Sequence, residues 1–570
     1  MATEKQINYI HMKIYKLFIC ITFISIFLYG CEGKEKQITP PKPPAESVGN
    51  LSQVKIYPGK NRVRLTGIPN AEIKKVVISW DNTSATIDIT QNMQAARLVD
   101  AVIPVTEGEK TFKIVAYNAS AKASDEIVVK AVAYGDAYRA TLYNKPIISL
   151  LLKNGSTEVL WAKTTSASGT SRIEYTYNTS TGTAYVNDES TTTNISGLNI
   201  RTTGFAYRTI YEPAYNGLIS IDTFATDVRS IGKLPVGITT SNLKRISRVT
   251  GASLPGETFP NPTPTTQWSV GATDLGIMWD MGNGRTGLFF GDTYGNDFRP
   301  TNPPDYSGGP NNAGQWRYNV FGYSDDINLE DGLSISGMAT SPANPNYALL
   351  IMDRLPGSHT AIPSSAINVD GVDYVQYWNL QTWNGWVTNF SSMYKSVDHG
   401  ASWQRCNEIN FPRGSKFACI TYGKKDGYVY MLGTPTLRGA AVYLARCLEK
   451  DMLSQNNYEY WNGAYWVKQK EDVAVPVFDA PFGEASLVYN TTYNRWIVTY
   501  LGAPDIMLRD AKDLTGPWTE AKVMVKASEY GGLYGPFIHP HSKGNNLYFN
   551  MSLWWPYNVF FMKTSLNYSE

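Results

Sequence analysis

Short runs of β-branched and aromatic residues, broken by Gly, Asn, Ser and Thr, recur along the chain after about residue 50. Two examples are Lys75–Trp80 (KVVISW) and Trp496–Tyr500 (WIVTY). Helical periodicity is almost absent from the C-terminal half, and short runs between turn-forming residues are typical of strands. The pattern therefore predicts an all-β protein.

The spacing of these runs indicates two architectures. Residues 51–228 have the strand and turn spacing of β-sandwiches, and their length suits two sandwiches of roughly 100 residues or slightly fewer. The C-terminal half carries more short strands than one sandwich uses, which favours a propeller, and a five-bladed propeller would use about 65 residues per blade. The predicted units are β-sandwiches of the fibronectin or immunoglobulin type over 51–135 and 136–228, a linker over 229–243, and a five-bladed β-propeller over 244–570.

The N-terminus has the pattern of an export signal. The apolar run Leu17–Tyr29 follows two lysines and is shorter than the ~20 residues of a membrane-spanning helix. The segment Leu28–Cys31 (LYGC) resembles a bacterial lipobox, which implies lipidation of Cys31 and an outer-membrane lipoprotein. The predicted segments are a signal peptide over 1–30, in which 1–11 is an upstream extension before the more orthodox start at Met12, and a Pro-rich tether over 31–50.

The charge and composition of the chain limit the kinds of partner and site that are expected. Lys and Arg number 51 against 49 Asp and Glu, so the chain carries no general excess of positive charge for nucleic acid. Aromatic residues make up 13 % and charged residues only 18 %, which excludes disorder for most of the chain and suits an uncharged polymer. Beyond Cys31, the odd set Cys406, Cys419 and Cys447 has no CxxC pair, so neither a disulfide framework nor a metal site is expected. No cofactor is expected; a structural Ca²⁺ in the channel is left open.

Two acidic motifs are the strongest candidates for chemistry. Asp274 lies in GATDLG and Asp292 in FGDTYG, each beside glycine at the end of an apolar run, and Met281–Arg285 between them reads as a hairpin turn. The two strands of one hairpin would bring both acids to the same end of a sheet. Glycosidic cleavage typically uses such a pair of carboxyl groups. The competing interpretation is that both aspartates cap turns.

Aromatic and histidine side chains are candidates for sugar contacts. Trp378, Trp383 and Trp386 alternate with amides, a composition that suits stacking on sugar faces and hydrogen bonding to hydroxyls. Inter-blade packing is the competing interpretation for any one of them. His539 and His541 form an incomplete metal shell, so a sugar contact or a packed core role is expected rather than zinc, and His541 is predicted to contact sugar.

The C-terminal half resembles a known enzyme family. The motifs around Asp274 and Asp292, followed by WRYNVFGYSDD over 316–326, resemble glycoside hydrolase family 183, formerly a domain of unknown function, whose characterised members are endo-D-arabinanases with a five-bladed propeller. The resemblance implies that Asp274 and Asp292 are catalytic. It further implies that Glu484, in GEAS, is a third acid and that Arg317 and Asn319 bind sugar hydroxyls.

Two further resemblances concern structure. Residues 57–65 (YPGKNRVRL) resemble the fibronectin-like accessory module of surface lipoproteins. The segment Ser396–Trp403 (SVDHGASW) resembles the Asp-box turn of sialidase-like propellers, which implies a structural Asp398 and a Trp403 packed between blades. The arginine triad of sialidases is not recognisable, which counts against sialic acid.

The leading hypothesis is a lipid-anchored glycoside hydrolase that cuts an arabinofuranose polysaccharide internally, most specifically an endo-D-arabinanase acting on mycobacterial-type arabinogalactan. The alternative is a non-catalytic glycan-binding surface lipoprotein, and an adhesion or scaffold protein is a third. The expected partners are the polysaccharide and, through the lipid, a membrane. The chain is expected to be a monomer.

Overall fold

The computed structural model describes residues 48–163, 171–299 and 315–570. The predicted signal peptide, the Cys31 lipidation site and the tether up to residue 47 lie outside the described residues. None of the described helices is long and apolar enough to cross a membrane.

The first sandwich packs a three-stranded sheet on a four-stranded one, in the orders β1-β2-β5 and β4-β3-β6-β7. Alternation in β2 buries Val63 and Leu65 and turns the intervening arginines outward, so one face of the sheet forms the core. Its elements are β1 (Ser52–Gly59), β2 (Arg62–Ile68), β3 (Ile73–Trp80), β4 (Thr83–Asp88), α1 (Gln91–Ala96), β5 (Val99–Pro104), β6 (Gly108–Asn118) and β7 (Ile127–Ala133).

The second sandwich repeats this plan, with the fully buried Trp161 packed against Tyr207 at 5.0 Å between ring centroids. Its elements are α2 (Asp136–Ala140), β8 (Ile147–Lys153), β9 (Ser156–Trp161), β10 (Ser171–Tyr177), β11 (Ser180–Val186), β12 (Thr191–Ile195), β13 (Phe205–Tyr211), β14 (Ala214–Tyr215), β15 (Leu218–Ile219), β16 (Phe224–Ala225) and β17 (Arg229–Ile231). One sheet has the order β12-β9-β8, and the other has the order β11-β10-β13 with β16 and β17 both on β13.

The predicted linker over 229–243 is wrong. Strand β17 still belongs to the second sandwich, and β18 (Gly237–Arg248) already belongs to the C-terminal domain, so only residues 232–236 connect the two. Strand β18 pairs with one strand only, so it lies at the edge of its sheet. An edge strand needs few apolar side chains, and the polar sequence of β18 therefore resembles that of a loop.

Among its described residues, the C-terminal domain has five sheets of four to six strands, numbered here as blades I to V, and a separate two-stranded hairpin. Blade I is β19 (Ala272–Asp280), β20 (Thr286–Tyr294), β21 (Val320–Ser324) and β22 (Gly337–Met338), followed by the hairpin β23 (Thr340–Ser341) and β24 (Asn344–Ala348). Blade II is β25 (Thr360–Val369), β26 (Val372–Thr382), β27 (Val387–Ser396) and β28 (Gln404–Pro412). Blade III is β29 (Cys419–Lys425), β30 (Tyr428–Thr434), β31 (Val442–Leu448), β32 (Glu459–Trp461), β33 (Trp466–Lys468) and β34 (Pro476–Phe478). Blade IV is β35 (Ala485–Asn490), β36 (Arg495–Leu501), β37 (Ile506–Ala511) and β38 (Lys522–Val525). Blade V is β39 (Leu533–Ile538), β40 (Asn546–Leu553), β41 (Asn558–Ser569) and β18. Short 3-10 turns lie at Thr265–Trp268, Glu449–Asp451, Gln455–Asn457 and Glu471–Val473.

The five sheets close into a ring, which confirms the predicted five-bladed propeller. The first strands of successive blades, β19, β25, β29, β35 and β39, contact one another in turn, and β39 contacts β19 again. Blade V joins β18 from the start of the domain to β39–β41 from its end. Pairing between the first and last strands of the domain therefore closes the ring.

The Asp-box prediction is also confirmed. The Asp398 carboxylate accepts hydrogen bonds from the Ser402 amide at 2.8 Å and from the Ser396 hydroxyl at 2.7 Å, which shapes the turn after β27. The Trp403 ring of blade II packs on Phe289 and Phe321 of blade I at 5.0 and 5.7 Å. Part of the aromatic excess therefore fills the space between blades.

The second sandwich docks on blades III and IV. Glu520 beside β38 accepts a hydrogen bond from the Leu152 amide at 3.0 Å and pairs with Arg201 at 3.0 Å. The Arg229 guanidinium donates to the Gly463 carbonyl at 2.9 Å. This sandwich therefore lies against the side of the propeller.

Candidate active site

A cavity of about 610 Å³ lies on the axis of the propeller. Each of the five innermost strands contributes to its wall. In four blades the contributing residues of this strand lie in its first half, and in blade V strand β39 contributes Leu533 and Tyr534 at its start and Phe537 near its end. These residues include Asp274 (β19), Ser364 (β25), Thr421 (β29), Ala485 (β35) and Leu533 (β39). Because the axis is the only place shared by all five blades, the cavity occupies one end of the central channel.

Asp274 and Asp292 both line this cavity, as the predicted hairpin requires. Strands β19 and β20 pair antiparallel around residues 281–285, with Thr273 opposite Thr293. The pairing is interrupted by a bulge in which Leu275 has φ 63° and Gly276 has φ 75°. Bulges redirect side chains, and Asp274 directly precedes the residue that carries the strained left-handed conformation.

Gly291 makes room for the acid pair. A Cβ atom at this position would lie 2.3 Å from the Asp274 Oδ1 atom, closer than any real contact. Glycine next to Asp292 is therefore a packing requirement of the neighbouring carboxyl group.

The Asp274 carboxyl group is held by two tyrosines. Its Oδ2 atom accepts hydrogen bonds from the hydroxyls of Tyr534 and Tyr557, each at 3.0 Å, while its buried Oδ1 atom has no partner among the described residues. Burial raises the pKa of both tyrosines well above the usual value, so the hydroxyls stay protonated and donate. Burial also raises the pKa of Asp274 to about 7, although the two hydrogen bonds oppose this shift.

The Asp292 carboxyl group has a different environment. It is 6 % exposed, and its Oδ1 atom accepts a hydrogen bond from Trp316 Nε1 at 2.7 Å. Burial, and then the negative charge of Asp274, raise the pKa of Asp292 well above its usual range. Because the charge of an ionised Asp274 is one cause of the raised pKa of Asp292, the pair favours an ionised Asp274 beside a protonated Asp292.

Glu484 also lines the cavity but is paired. Its carboxylate meets the Arg438 guanidinium side-on, with Oε1 2.6 Å from Nη2 and Oε2 3.3 Å from Nε. Arg438 was not singled out from the sequence, because it follows β30 in a loop without a recognisable motif. Its φ of 69° marks a strained backbone at the site.

Tryptophans form part of the cavity wall. Trp383 and Trp554 are each 37 % exposed and line the cavity, so both present ring surface to it. Trp378 belongs to the same wall but is fully buried, since it donates Nε1 to the Thr388 hydroxyl at 2.8 Å and packs behind Trp386. The structure therefore gives Trp378 a supporting position in place of the predicted substrate contact.

The predicted sugar-binding roles of Arg317 and Asn319 are wrong. Arg317 is 3 % exposed, and its guanidinium donates to the carbonyls of Ser269 and Ala348 at 2.5 and 2.6 Å. The fully buried Asn319 exchanges hydrogen bonds with the backbone of Met352 at 2.9 Å in both directions. Both side chains are occupied in holding loops to blade I, a use that sequence alone does not distinguish from ligand binding.

The predicted sugar contact of His541 is wrong as well. Its neighbour His539 lies 3.5 Å from the Thr286 hydroxyl at the start of β20, whereas Asp292 is six residues further along that strand. Six residues of strand span ~20 Å, so the histidines lie towards the other end of blade I. Burial lowers the pKa of His539 to about 3, which keeps its ring neutral.

No group of three His, Cys, Asp or Glu side chains within residues 48–163, 171–299 and 315–570 is placed to hold a metal ion. The three described cysteines, Cys406, Cys419 and Cys447, are buried and form no disulfide. The expectation of a cofactor-free protein stays a prediction.

Comparison with known families matches both halves of the chain. A family described as "Domain of unknown function (DUF4185)" matches residues 260–563, which is more than half of the chain and includes every residue of the site described above. The chain belongs to the DUF4185 family. Residues 46–224, the two sandwiches, match a second domain of unknown function, DUF4998.

Two curated fungal proteins match half of the chain. Notoamide biosynthesis cluster protein J of Aspergillus sp. (strain MF297-2) is 31 % identical over 321 residues, which cover 50 % of this chain and 81 % of that protein. Notoamide biosynthesis cluster protein J' of Aspergillus versicolor is 30 % identical over 313 residues, which cover 50 % and 82 %.

Among solved structures, the family 117 glycoside hydrolase Zg3597 of Zobellia galactanivorans is 10 % identical and has a TM-score of 0.35, over 57 % of this chain and 90 % of its own. A GH43_1 enzyme of Xanthomonas citri is 9 % identical, with a TM-score of 0.31 over 53 % and 89 %. These scores are too low to relate the sites, and the propeller of the DUF4185 part is established by its own strand order.

Proposed function

We propose that this protein is a glycoside hydrolase and that Asp274 and Asp292 cleave the glycosidic bond in the axial cavity. The observation that carries the proposal is the meeting of two buried carboxyl groups, each with different hydrogen-bond donors, on one hairpin of an aromatic-lined cavity. Glycoside hydrolysis needs one protonated and one ionised carboxyl group beside the scissile bond.

The roles we propose follow from the two environments. Asp292 retains its proton and donates it to the leaving-group oxygen as the bond to the anomeric carbon breaks. Asp274 is ionised first and, beside the anomeric carbon, stabilises the oxocarbenium-like charge; it then either attacks that carbon or takes a proton from the attacking water. Each route consumes one water. In the covalent route the ionised Asp292 takes a proton from the water that releases the sugar from Asp274, so both carboxyl groups return to their starting states. In the direct route Asp274 ends protonated and Asp292 ionised, and a proton exchange through solvent restores the pair before the next turnover.

The substrate we propose is a neutral polysaccharide containing arabinofuranose, with D-arabinan cut internally as the most specific choice. The sequence resemblance around both aspartates supports it. The exposed rings of Trp383 and Trp554 suit stacking on the C–H face of a sugar, and a volume of about 610 Å³ is within the usual range for ligand sites. Export and lipid anchoring through Cys31 are part of the same proposal and rest on the N-terminal sequence. The names of the fungal relatives refer to a biosynthesis cluster and specify no reaction.

The test is to incubate the purified full-length chain with mycobacterial arabinogalactan and a panel of other arabinans, and to separate the products by size. Release of oligosaccharides by the wild type, but not by Asp274→Asn or Asp292→Asn, is the expected result. Binding without release from any glycan of the panel would overturn the proposal in favour of the non-catalytic alternative.

The tyrosines provide a prediction about pH dependence. Tyr557→Phe removes a hydrogen bond that favours the ionised form of Asp274, so the pKa of Asp274 rises further above about 7. The acid limb of the pH profile of kcat/KM should therefore move to higher pH by about one unit, the size of a hydrogen bond to a charged group. Tyr534→Phe should act in the same direction.

Tyr294→Phe is the matched control for this prediction. Tyr294 is buried and packs on the Tyr557 ring at 5.8 Å, but its hydroxyl makes no hydrogen bond to Asp274 or Asp292. Its profile should keep the wild-type acid limb. A Tyr557→Phe profile that coincides with that of the control would contradict the role assigned to Asp274.

A further inference from the structure

The ion pair of Arg438 and Glu484 is held more rigidly than a typical surface pair. The Arg438 amide donates to the Phe482 carbonyl at 2.7 Å, and the side chain passes close to Gly483, where a Cβ atom would lie 3.2 Å from Arg438 Cγ. The loop after β30 and the start of β35 thus hold both partners. Neither residue has a part in the proton transfers assigned above.

The guanidinium group is flanked by aromatic rings. Its carbon lies 4.8 Å from the centroid of Trp386 and 5.7 Å from that of Tyr534, the tyrosine that donates to Asp274. The Arg438 side chain is 37 % exposed and the Glu484 side chain 8 %. Both residues line the cavity, so part of the ion pair is accessible there. Tyr534 contacts both Arg438 and the Asp274 carboxylate.

The chemistry of this pair fits two neighbouring hydroxyl groups. A guanidinium carries five N–H donors, of which the contact with Glu484 uses two, and the carboxylate oxygens retain lone pairs. One sugar hydroxyl can donate to the carboxylate while its neighbour accepts from the guanidinium. The charges of the pair sum to zero, so the carboxylate opposes any anion that an unpaired arginine would attract.

We propose that Arg438 and Glu484 form a subsite that binds a vicinal diol of a neutral sugar and discriminates against anionic glycans. The inference rests on the proposed function, because it describes the substrate of the same cavity. It differs from that function in being a statement about charge selectivity in binding, which is measurable without turnover.

The probes are an arabinan oligosaccharide and the same oligosaccharide with its primary hydroxyls oxidised to carboxylates. Calorimetric binding is measured in the Asp292→Asn background, so that the result does not depend on hydrolysis. With Glu484 intact, we expect the neutral probe to bind at least about tenfold more tightly than the oxidised one. With Glu484→Gln, Arg438 is left unpaired, and the preference should shrink or reverse through a gain for the oxidised probe.

Arg438→Lys is the companion variant, since it keeps the charge but loses the planar fork. It should weaken binding of the neutral probe about tenfold and leave the preference for neutral over oxidised sugar in place. Thermal unfolding checks that each variant is folded.

An unchanged ratio of the two affinities in folded Glu484→Gln would overturn the inference. The ion pair would then serve only to hold the loop after β30 in place. Failure of the proposed function is seen separately, as the absence of hydrolysis by the wild type. If neither probe binds the Asp292→Asn chain with Glu484 intact, the subsite is likewise rejected.

Discussion

Asp292→Asn is expected to lower kcat by about 10²–10⁴-fold, the usual contribution of a general acid. The amide has nearly the same shape and still offers Trp316 an oxygen acceptor, so the cavity should keep its geometry. The loss of activity would therefore come from the missing proton of Asp292 and not from a rearranged site. Steady-state kinetics on the substrate that the wild type cleaves is the measurement.

The same variant should lose activity but keep or gain folded stability. The pKa of Asp292 is raised in the folded protein, mainly by burial, so ionisation of this group costs folded stability once the pH passes the unfolded-state value near 4. The cost grows with pH until the folded-state pKa is passed. Asp292→Asn removes it, so its free energy of unfolding should equal or exceed that of the wild type at pH 7 and vary less with pH.

Asp280→Asn is the control for both measurements, because Asp280 is exposed and lies at the other end of the same hairpin. It should leave kcat unchanged. An Asp292→Asn protein that keeps wild-type kcat would contradict the assignment of Asp292 as the acid, and one that is less stable than the wild type at pH 7 would contradict the stability prediction.

Asp510→Ala is expected to lower the free energy of unfolding of the propeller by about 3–5 kcal/mol, the usual cost of removing one partner of a buried ion pair. Asp510 is fully buried, pairs with Arg495, and accepts hydrogen bonds from the Thr519 hydroxyl at 2.8 Å and the Ile238 amide at 2.9 Å. Ile238 lies on β18, so this one carboxylate ties blade IV to the strand that closes the ring.

Denaturant unfolding followed by tryptophan fluorescence measures the effect, since most tryptophans belong to the propeller. Asp513→Asn, an exposed aspartate of the same blade, should change the free energy of unfolding by no more than about 0.5 kcal/mol. Equal effects of the two substitutions would show that Asp510 does not hold the ring closed.

Local sequence patterns predicted the parts of the site that a single hairpin builds. The apolar runs of β19 and β20, the turn at 281–285 and the two glycine-flanked aspartates are all encoded within 24 residues of chain, from 271 to 294. Pairing two adjacent strands needs no knowledge of the rest of the fold. Asp274 and Asp292 were therefore predicted to meet, and they line the same cavity.

Residues supplied by other blades were not predicted in this way. Tyr534 and Tyr557 of blade V and Arg438 of blade III reach Asp274 or its neighbours only because the ring brings distant parts of the chain to one axis. Short patterns do not encode which ends of which strands face each other across that axis.

The sequence by itself determined the all-β class and the acid pair on one hairpin, because periodicity and turn residues act over a few positions. Only the tertiary structure decided which polar side chains face the cavity. The Asn319 side chain forms hydrogen bonds with buried backbone groups and His541 lies near the other end of blade I, whereas Arg438 lines the cavity. The physical reason is that a buried polar group must be paired, and whether its partner is the protein's own backbone or the open cavity depends on the closure of the whole ring.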